Sequence, residues 1–350
     1  MIKRRKTQRV KRGLFKGRTF NENSWREQVH QQDPALLYAP HYNSKLHRFF
    51  NPWMPREKNW QDIALWVLAK NKFSKEAWEY TGPPPLENNG LYLRDKTSPD
   101  SLTMLGHSSL ALQDAGQVLL FDPFFSARTF NIKRTTHASQ AAKALPTDSV
   151  VVISHSHYDH LDKRVIKSLS QANFICPLGI GKLLQKWGVN KIYELDWWQD
   201  ITINNFKLTC LPAHHWSRRV EHGTNRSLWA SWMVDTSAHR LYFGGDSAYF
   251  VGYREFGRIF PNIDIALLAC GASAPRWFMH QSHTNVAEMF LAFEQLKARY
   301  LVPIHWGSMP LGFEPPAWPV KQIQDRLNAN PELQKKVFLL PVGGRLMLWP

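Results

Sequence analysis

Four side chains that can bind a transition metal, His155, His157, Asp159 and His160, fall within six consecutive positions of the run SHSHYDHLD at 154–162. Imidazole nitrogens and carboxylate oxygens suit zinc and its first-row neighbours, and a hydrolytic ion needs such ligands together with one position left open for water. A single histidine is usually an ordinary core or surface residue. Four ligand-type side chains in six positions are hard to assign to packing. The apolar run VVVIS leads into them, and a helical pattern follows from about Leu161. A strand that ends in a tight turn before a helix can aim several side chains at one point, so this boundary is where such chemistry could be assembled.

The surrounding elements are short and β-rich. After about residue 99 come LTMLGHSSLAL, QVLLFD, SVVVISH, NFICPL, KIYEL and ITINNFKLTCLPA, then SLWASWMVD, HRLYFGGD, IDIALLAC, RYLVPIH and VFLLPVGGRLMLW. Helical patterns are expected at 160–172, at 179–188 and most clearly at 285–298, where Val286, Met289, Phe290, Phe293 and Leu296 recur at helical spacing. This order predicts an α/β catalytic domain over residues 99–350, with two sheets flanked by helices. Residues 19–98 are irregular, with FFNPWMP at 49–55, a helix expected near 62–72 and the breaker run TGPPPLENNG at 81–90. They are expected to pack on the catalytic unit as an N-terminal extension. Residues 1–18 combine high charge with few apolar anchors and are expected to form a disordered basic tail.

Composition narrows the function classes. A chain of 350 residues can bury a core without disulfides, and its apolar runs fall far short of the roughly 20 residues of a membrane span. The N-terminus lacks the apolar stretch of a secretory signal, so a cytoplasmic location is expected. Cys176, Cys210 and Cys270 show no CxxC spacing and are expected to be buried, reduced thiols. Of the formal charge of +16, nine basic residues lie in the first 18 positions, which contain no acid. Basicity that is terminal rather than groove-like argues against nucleic acid as partner. Such a tail can attract an anionic membrane surface, with some of the aromatic residues at 49–78 at the interface, or stay a solvated arm; most of those aromatics are expected to pack in the core.

The HxHxDH signature at 155–160 resembles that of the metallo-β-lactamase superfamily, and the likeness continues in order through PAHHWSRR at 212–219, FGGDS at 243–247 and PIHWGS at 303–308. That resemblance implies an αββα sandwich of two mixed sheets and a pair of Zn2+ or similar divalent ions. His155, His157 and His215 would hold one ion, Asp159, His160 and His305 the other, and Asp246 would bridge. His214 adjoins His215; related sequences place the ligand just before the aromatic residue, which favours His215. A two-metal site supplies an activated water without a Ser, Cys or Lys nucleophile, and Asp159 and Asp246 would help position it. His107, in LGHSS, resembles a family position near the site and is expected to be a core-packing residue.

More specifically, FFNPW at 49–53, LGHSSLAL at 105–112, DPFFSAR at 122–128, HSHYDHLD at 155–162, HHWSRR at 214–219 and APRWFMHQSH at 274–283 are similar to the N-acylphosphatidylethanolamine phospholipase D family and its bacterial relatives. The resemblance implies hydrolysis of a phospholipid phosphodiester through a hydroxide on the two zincs, with His283 contacting the phosphoryl group; Tyr158, within the metal motif, could donate a hydrogen bond to the same group. The chain departs from the family around Gly271 to Ala274, after His283 and after DPFFSAR; these positions concern the substrate pocket, not the ligands. A lactonase or other carbonyl hydrolase and a metallo-nuclease are the competing readings of the same ligand set.

Overall fold

The computed structural model describes residues 19–54, 58–79 and 82–349; the basic segment 1–18 lies outside the described residues. A seven-stranded mixed sheet runs in the order Lys191–Leu195, Asn173–Pro177, Val150–Val152, Gln117–Phe121, Ser109–Asp114, Ser101–Gly106 and Arg345–Met347. Its first four strands are parallel and the others antiparallel. A six-stranded mixed sheet runs Asp200–Ile203, Phe206–Leu211, Ser231–Asp235, Arg240–Phe243, Ile265–Ala269 and Tyr300–Ile304, the last three parallel.

The central strands are buried on both faces, which is why they read as unbroken apolar runs. Along Gln117–Phe121 and Val150–Val152 the side chains alternate between two cores. Leu119, Phe121, Val150 and Val152 join a cluster shared with the second sheet, where Phe121 meets Phe243 at 4.9 Å between ring centroids. Val118, Leu120 and Val151 point the other way, into a cluster with Leu161, Val165, Ile166 and Leu184 from the helical side. Helices Lys163–Ser168 and Gly181–Lys186 thus cover the first sheet, and helices Gly252–Ile259, Val286–Leu296 and Trp318–Asn328 pack on the second. Each fully buried aliphatic side chain contributes about 1.5–3 kcal/mol. The result is the four-layer αββα arrangement that the resemblance implies.

Boundaries differ from the sequence pattern for local reasons. LTMLGHSSLAL is a hairpin, split where His107 takes φ 61°, and ITINNFKLTCLPA is split where Asn204 takes φ 55°. The helix expected from 160 begins at Lys163, because the Asp162 carboxylate caps it by accepting from the Arg164 amide. In VFLLPVGGRLMLW only Arg345–Met347 pairs as a strand. Helix Gly252–Ile259 gives little sequence signal, since Gly257 lowers helix propensity. That glycine is needed: a Cβ there would lie 2.1 Å from the Gln295 carbonyl of helix Val286–Leu296.

Residues 19–98 include helices Glu22–His30, Trp60–Leu68 and Lys75–Glu79. Val29, Leu37, Phe49 and Trp53 are buried in the same cluster as the two sheets. No helix among the described residues is long and apolar enough to cross a membrane. Cys176 lies in the first sheet, Cys210 in the second and Cys270 at the end of strand Ile265–Ala269; all three are free and buried, and burial pushes their thiols upward.

Candidate metal centre

The nominated ligands sit just beyond strand ends of both sheets: His155 to His160 after Val150–Val152, His215 after Phe206–Leu211, Asp246 after Arg240–Phe243 and His305 after Tyr300–Ile304. Gly245 makes this convergence possible. Its φ is 54°, and a Cβ on it would fall 2.9 Å from the Ser154 Cβ, beside His155.

Three imidazoles form the first group. His155 Nε2 lies 2.8 Å and His215 Nε2 3.2 Å from the same atom, His157 Nδ1. The His215 ring is oriented from behind, where its Nδ1–H donates to the Ser282 carbonyl at 2.8 Å, and His155 Nδ1 is held 2.8 Å from Ser154 Oγ. A carbonyl can only accept, so His215 presents the bare lone pair of Nε2 to its neighbours. Burial, then the neighbouring imidazoles, hold His155 and His215 well below the usual histidine range, and burial takes His157 down to about 4.

The second group mixes imidazole with carboxylate. His160 Nε2 and His305 Nε2 each lie 3.0 Å from Asp246 Oδ2 and 3.6 Å from Asp159 Oδ2. His160 is fixed from behind by Asp122 Oδ2 at 2.7 Å from its Nδ1, and Ser154 donates to the same Asp122 carboxylate. Burial alone would lower His160 and His305. The Asp246 and Asp159 charges override it, holding His160 well above its ordinary value and His305 at about 9. Burial would likewise raise both aspartates, yet the facing histidines hold them well below the usual carboxylate range.

These residues fit a cation. His157 Nε2 and Asp246 Oδ1 are buried without a hydrogen bond among the described residues, at a cost of about 1–3 kcal/mol for each unsatisfied group. Nitrogen and carboxylate oxygen atoms of His155, His157 and His215, and separately of His107, Asp159, His160 and His305, lie within 4.8 Å of one another. Such a set is a transition-metal donor set.

Of the adjacent pair, His215 belongs to this cluster and His214 does not. His214 faces a cavity of about 640 Å³ with Trp25, Trp53, Met54 and His280, its Nε2 3.3 Å from Met54 Sδ. His283 stands at the edge of the cluster, Nδ1 4.0 Å from Asp246 Oδ2 and otherwise unpartnered, and burial lowers it to about 3. The Tyr158 hydroxyl donates to Glu221 at 3.2 Å and accepts the Val220 N–H at 3.0 Å, placing it on the rim, with Arg219 over its ring.

His107 corrects an expectation. It is buried, but it does more than fill space, because its Nε2 lies 3.1 Å from Asp159 Oδ2. The hairpin tip that carries it is tied to the last ligand segment: the His305 amide donates to the His107 carbonyl at 3.1 Å, and the His107 amide to Ser308 Oγ at 3.0 Å. Residues with no individual role in the sequence reading also hold the centre. Asn51 of FFNPW donates to the His215 carbonyl at 2.8 Å while accepting from Trp229. Arg276 of PRWFM donates to the His283 carbonyl at 3.0 Å and to Glu288 at 2.7 Å, and Lys58 donates to Ser282 Oγ at 2.6 Å. For Asn51 and Arg276 the signal is the surrounding motif and not the residue alone; Lys58 lies in no motif, so the sequence carries no signal for it.

Known proteins share this architecture. The family model described as "Beta-lactamase superfamily domain" matches residues 117–306. An uncharacterized protein of Mycobacterium tuberculosis is 33% identical over 295 residues, covering 81% of this chain and 77% of that protein. The N-acyl-phosphatidylethanolamine-hydrolyzing phospholipase D 1 of Caenorhabditis elegans is 30% identical over 264 residues, covering 70% of this chain and 74% of that one. The structure of Igni18, a metallo hydrolase from Ignicoccus hospitalis, superposes with a TM-score of 0.54 at 18% identity over 72% of this chain and 99% of its own, a likeness of fold.

Proposed function

Because the chain belongs to the metallo-β-lactamase superfamily of metal-dependent hydrolases, we propose that it is a phosphodiesterase of phospholipase D type, acting on an N-acylated phosphatidylethanolamine or a related phospholipid. The reading is carried by the similarity, over 70% of the chain, to a nematode enzyme named for that reaction. In this proposal His155, His157 and His215 would hold one zinc-class ion and Asp159, His160 and His305 a second, with Asp246 as a ligand shared between the two groups. Two such ions supply, when bound, an acidified water and counter-charge for phosphoryl oxygens.

The chain's own groups do the rest. Ser282, Asn51 and Asp122 fix the orientation of His215 and His160 from behind. Asp159 and Asp246 accept hydrogen bonds and so orient the attacking water. His283, uncharged and with a free ring nitrogen beside Asp246, donates to a phosphoryl oxygen as charge develops there. Water adds to phosphorus, the bond from phosphorus to the ethanolamine oxygen breaks, and the departing oxygen takes the proton, giving phosphatidic acid and an N-acylethanolamine.

Offering the metal-loaded protein an N-acylated phospholipid, a short RNA and an acyl lactone, with product identification, tests the reading. His283→Ala is expected to slow phosphodiester cleavage by about 10- to 100-fold with metal content unchanged. Cleavage of the lactone with the phospholipid left intact would move the assignment to carbonyl chemistry.

A further inference from the structure

The Tyr158 hydroxyl on the rim of the centre is already committed. It donates to Glu221 Oε2 at 3.2 Å and accepts the Val220 N–H at 3.0 Å, so its single proton belongs to Glu221 and not to a phosphoryl oxygen. Val220 and Glu221 lie at the tip of the hairpin that pairs Arg218–Arg219 with Gly223–Thr224. Arg219 of the same hairpin lies 4.0 Å over the Tyr158 ring and 4.9 Å over that of Trp187, and it donates to the Ser156 carbonyl at 3.0 Å. Its charge bears on His157 and Asp159. The Arg219 Nε has no hydrogen bond among the described residues and faces the same Glu221 Oε2 at 3.7 Å. One carboxylate oxygen therefore answers two groups on this side of the rim that favour an anion, the phenol proton and the guanidinium charge. The Arg219 side chain is 3% exposed and that of Glu221 34%, so the carboxylate is the part that meets solvent.

We propose that Glu221 is a specificity-determining residue, which weakens the hold of the rim on phosphoryl anions and so lets a phosphomonoester product leave. Burial would raise the Glu221 carboxyl, yet its own backbone amide, the Arg219 charge and the Tyr158 hydroxyl hold it below the usual carboxylate range, so it stays an anion at neutral pH. The inference rests on the phosphodiesterase reading of this site. A phosphodiester carries one negative charge, whereas the monoester left by its cleavage carries about 1.5 to 2 at pH 7. Repulsion from Glu221 therefore falls more heavily on product than on substrate. A phosphoryl oxygen must also compete with the carboxylate for the Tyr158 proton. Because the carboxylate is partly exposed, solvent screens it, and its charge is expected to change anion affinity by about two- to fivefold.

The test is calorimetric titration of the metal-loaded full chain with inorganic phosphate, which matches the charge of the product head group. Glu221→Gln keeps an oxygen for the Tyr158 proton and removes the charge, whereas Glu221→Ala removes both. At low salt the dissociation constant for phosphate is expected to fall about two- to fivefold in the Gln variant and further in the Ala variant, with metal content unchanged by elemental analysis. Adding Tyr158→Phe to Glu221→Ala is expected to take back the further gain and leave the part due to charge. At about 1 M salt, where the Debye length is about 3 Å, the gain of the Gln variant is expected to shrink. Where a soluble phosphodiester is cleaved, inhibition by added phosphate is expected to tighten more than KM falls. Unchanged phosphate affinity in both variants with full metal content would overturn the proposal, as would a gain undiminished at high salt or the absence of phosphate binding by every form. Phosphate binding needs no turnover, so cleavage of a lactone alone would remove the phosphodiesterase reading while the titration still decided the role of Glu221.

Discussion

The three-histidine group and the histidine–carboxylate group share one seam but solve opposite electrostatic problems. In the first, burial and mutual repulsion leave His155, His157 and His215 uncharged, so their lone pairs converge with no internal partner. In the second, Asp159 and Asp246 draw protons onto His160 and His305, and the group is held by its own ion pairs. A cation enters the first without displacing charge; in the second it must displace protons as it binds. Orientation from behind by Ser154 and Ser282 keeps the neutral group in register, and carboxylates do that work in the other.

The largest effect is expected where the groups meet. Asp246 touches His160 and His305 and also bears electrostatically on His155, His157 and His215. Asp246→Asn should lower hydrolysis by roughly 10³-fold or more and remove about one equivalent of metal. It should also destabilise the metal-free protein by about 3–5 kcal/mol, since two charged imidazoles lose their counter-ion. Full metal content by elemental analysis, with normal turnover, would dissolve the comparison.

A narrower break separates adjacent histidines. His215→Ala should cost the first ion and most activity, whereas His214→Ala, which alters a cavity wall on the far side, should retain most of both. The reverse pattern would shift the assignment by one residue. The smallest effect concerns His107, which bonds to Asp159 and to no atom of the first group. His107→Ala should weaken the second ion by about 10- to 100-fold in a competitive zinc titration and leave the first as it was. Wild-type affinity at the second position in the variant would reduce His107 to packing.

Much of this was legible in the chain. The run 155–160 announces itself because four ligand-type residues fall within six positions, and the alternation of short strands with helical segments predicts the layers. The distant candidate ligands His215, Asp246 and His305 are reached through family resemblance, because nothing local distinguishes them from other residues after strands. Asp122, Asn51 and His107 act through contacts 32 to 201 positions away along the chain. No window of neighbouring residues contains such contacts. Helix Gly252–Ile259 escaped because tertiary packing, not propensity, dictates its glycine.

The three buried thiols offer a separate view of the seam. Cys176 belongs to one sheet and Cys210 and Cys270 to the other, and burial raises all three above the reactive range, so in the native state they resist alkylation. Labelling at each cysteine then clocks the opening of its own sheet. Candidate ligands drawn from both sheets would make an ion at the seam a rivet between them, so metal-loaded protein would label at all three thiols in step, and stripped protein one sheet at a time.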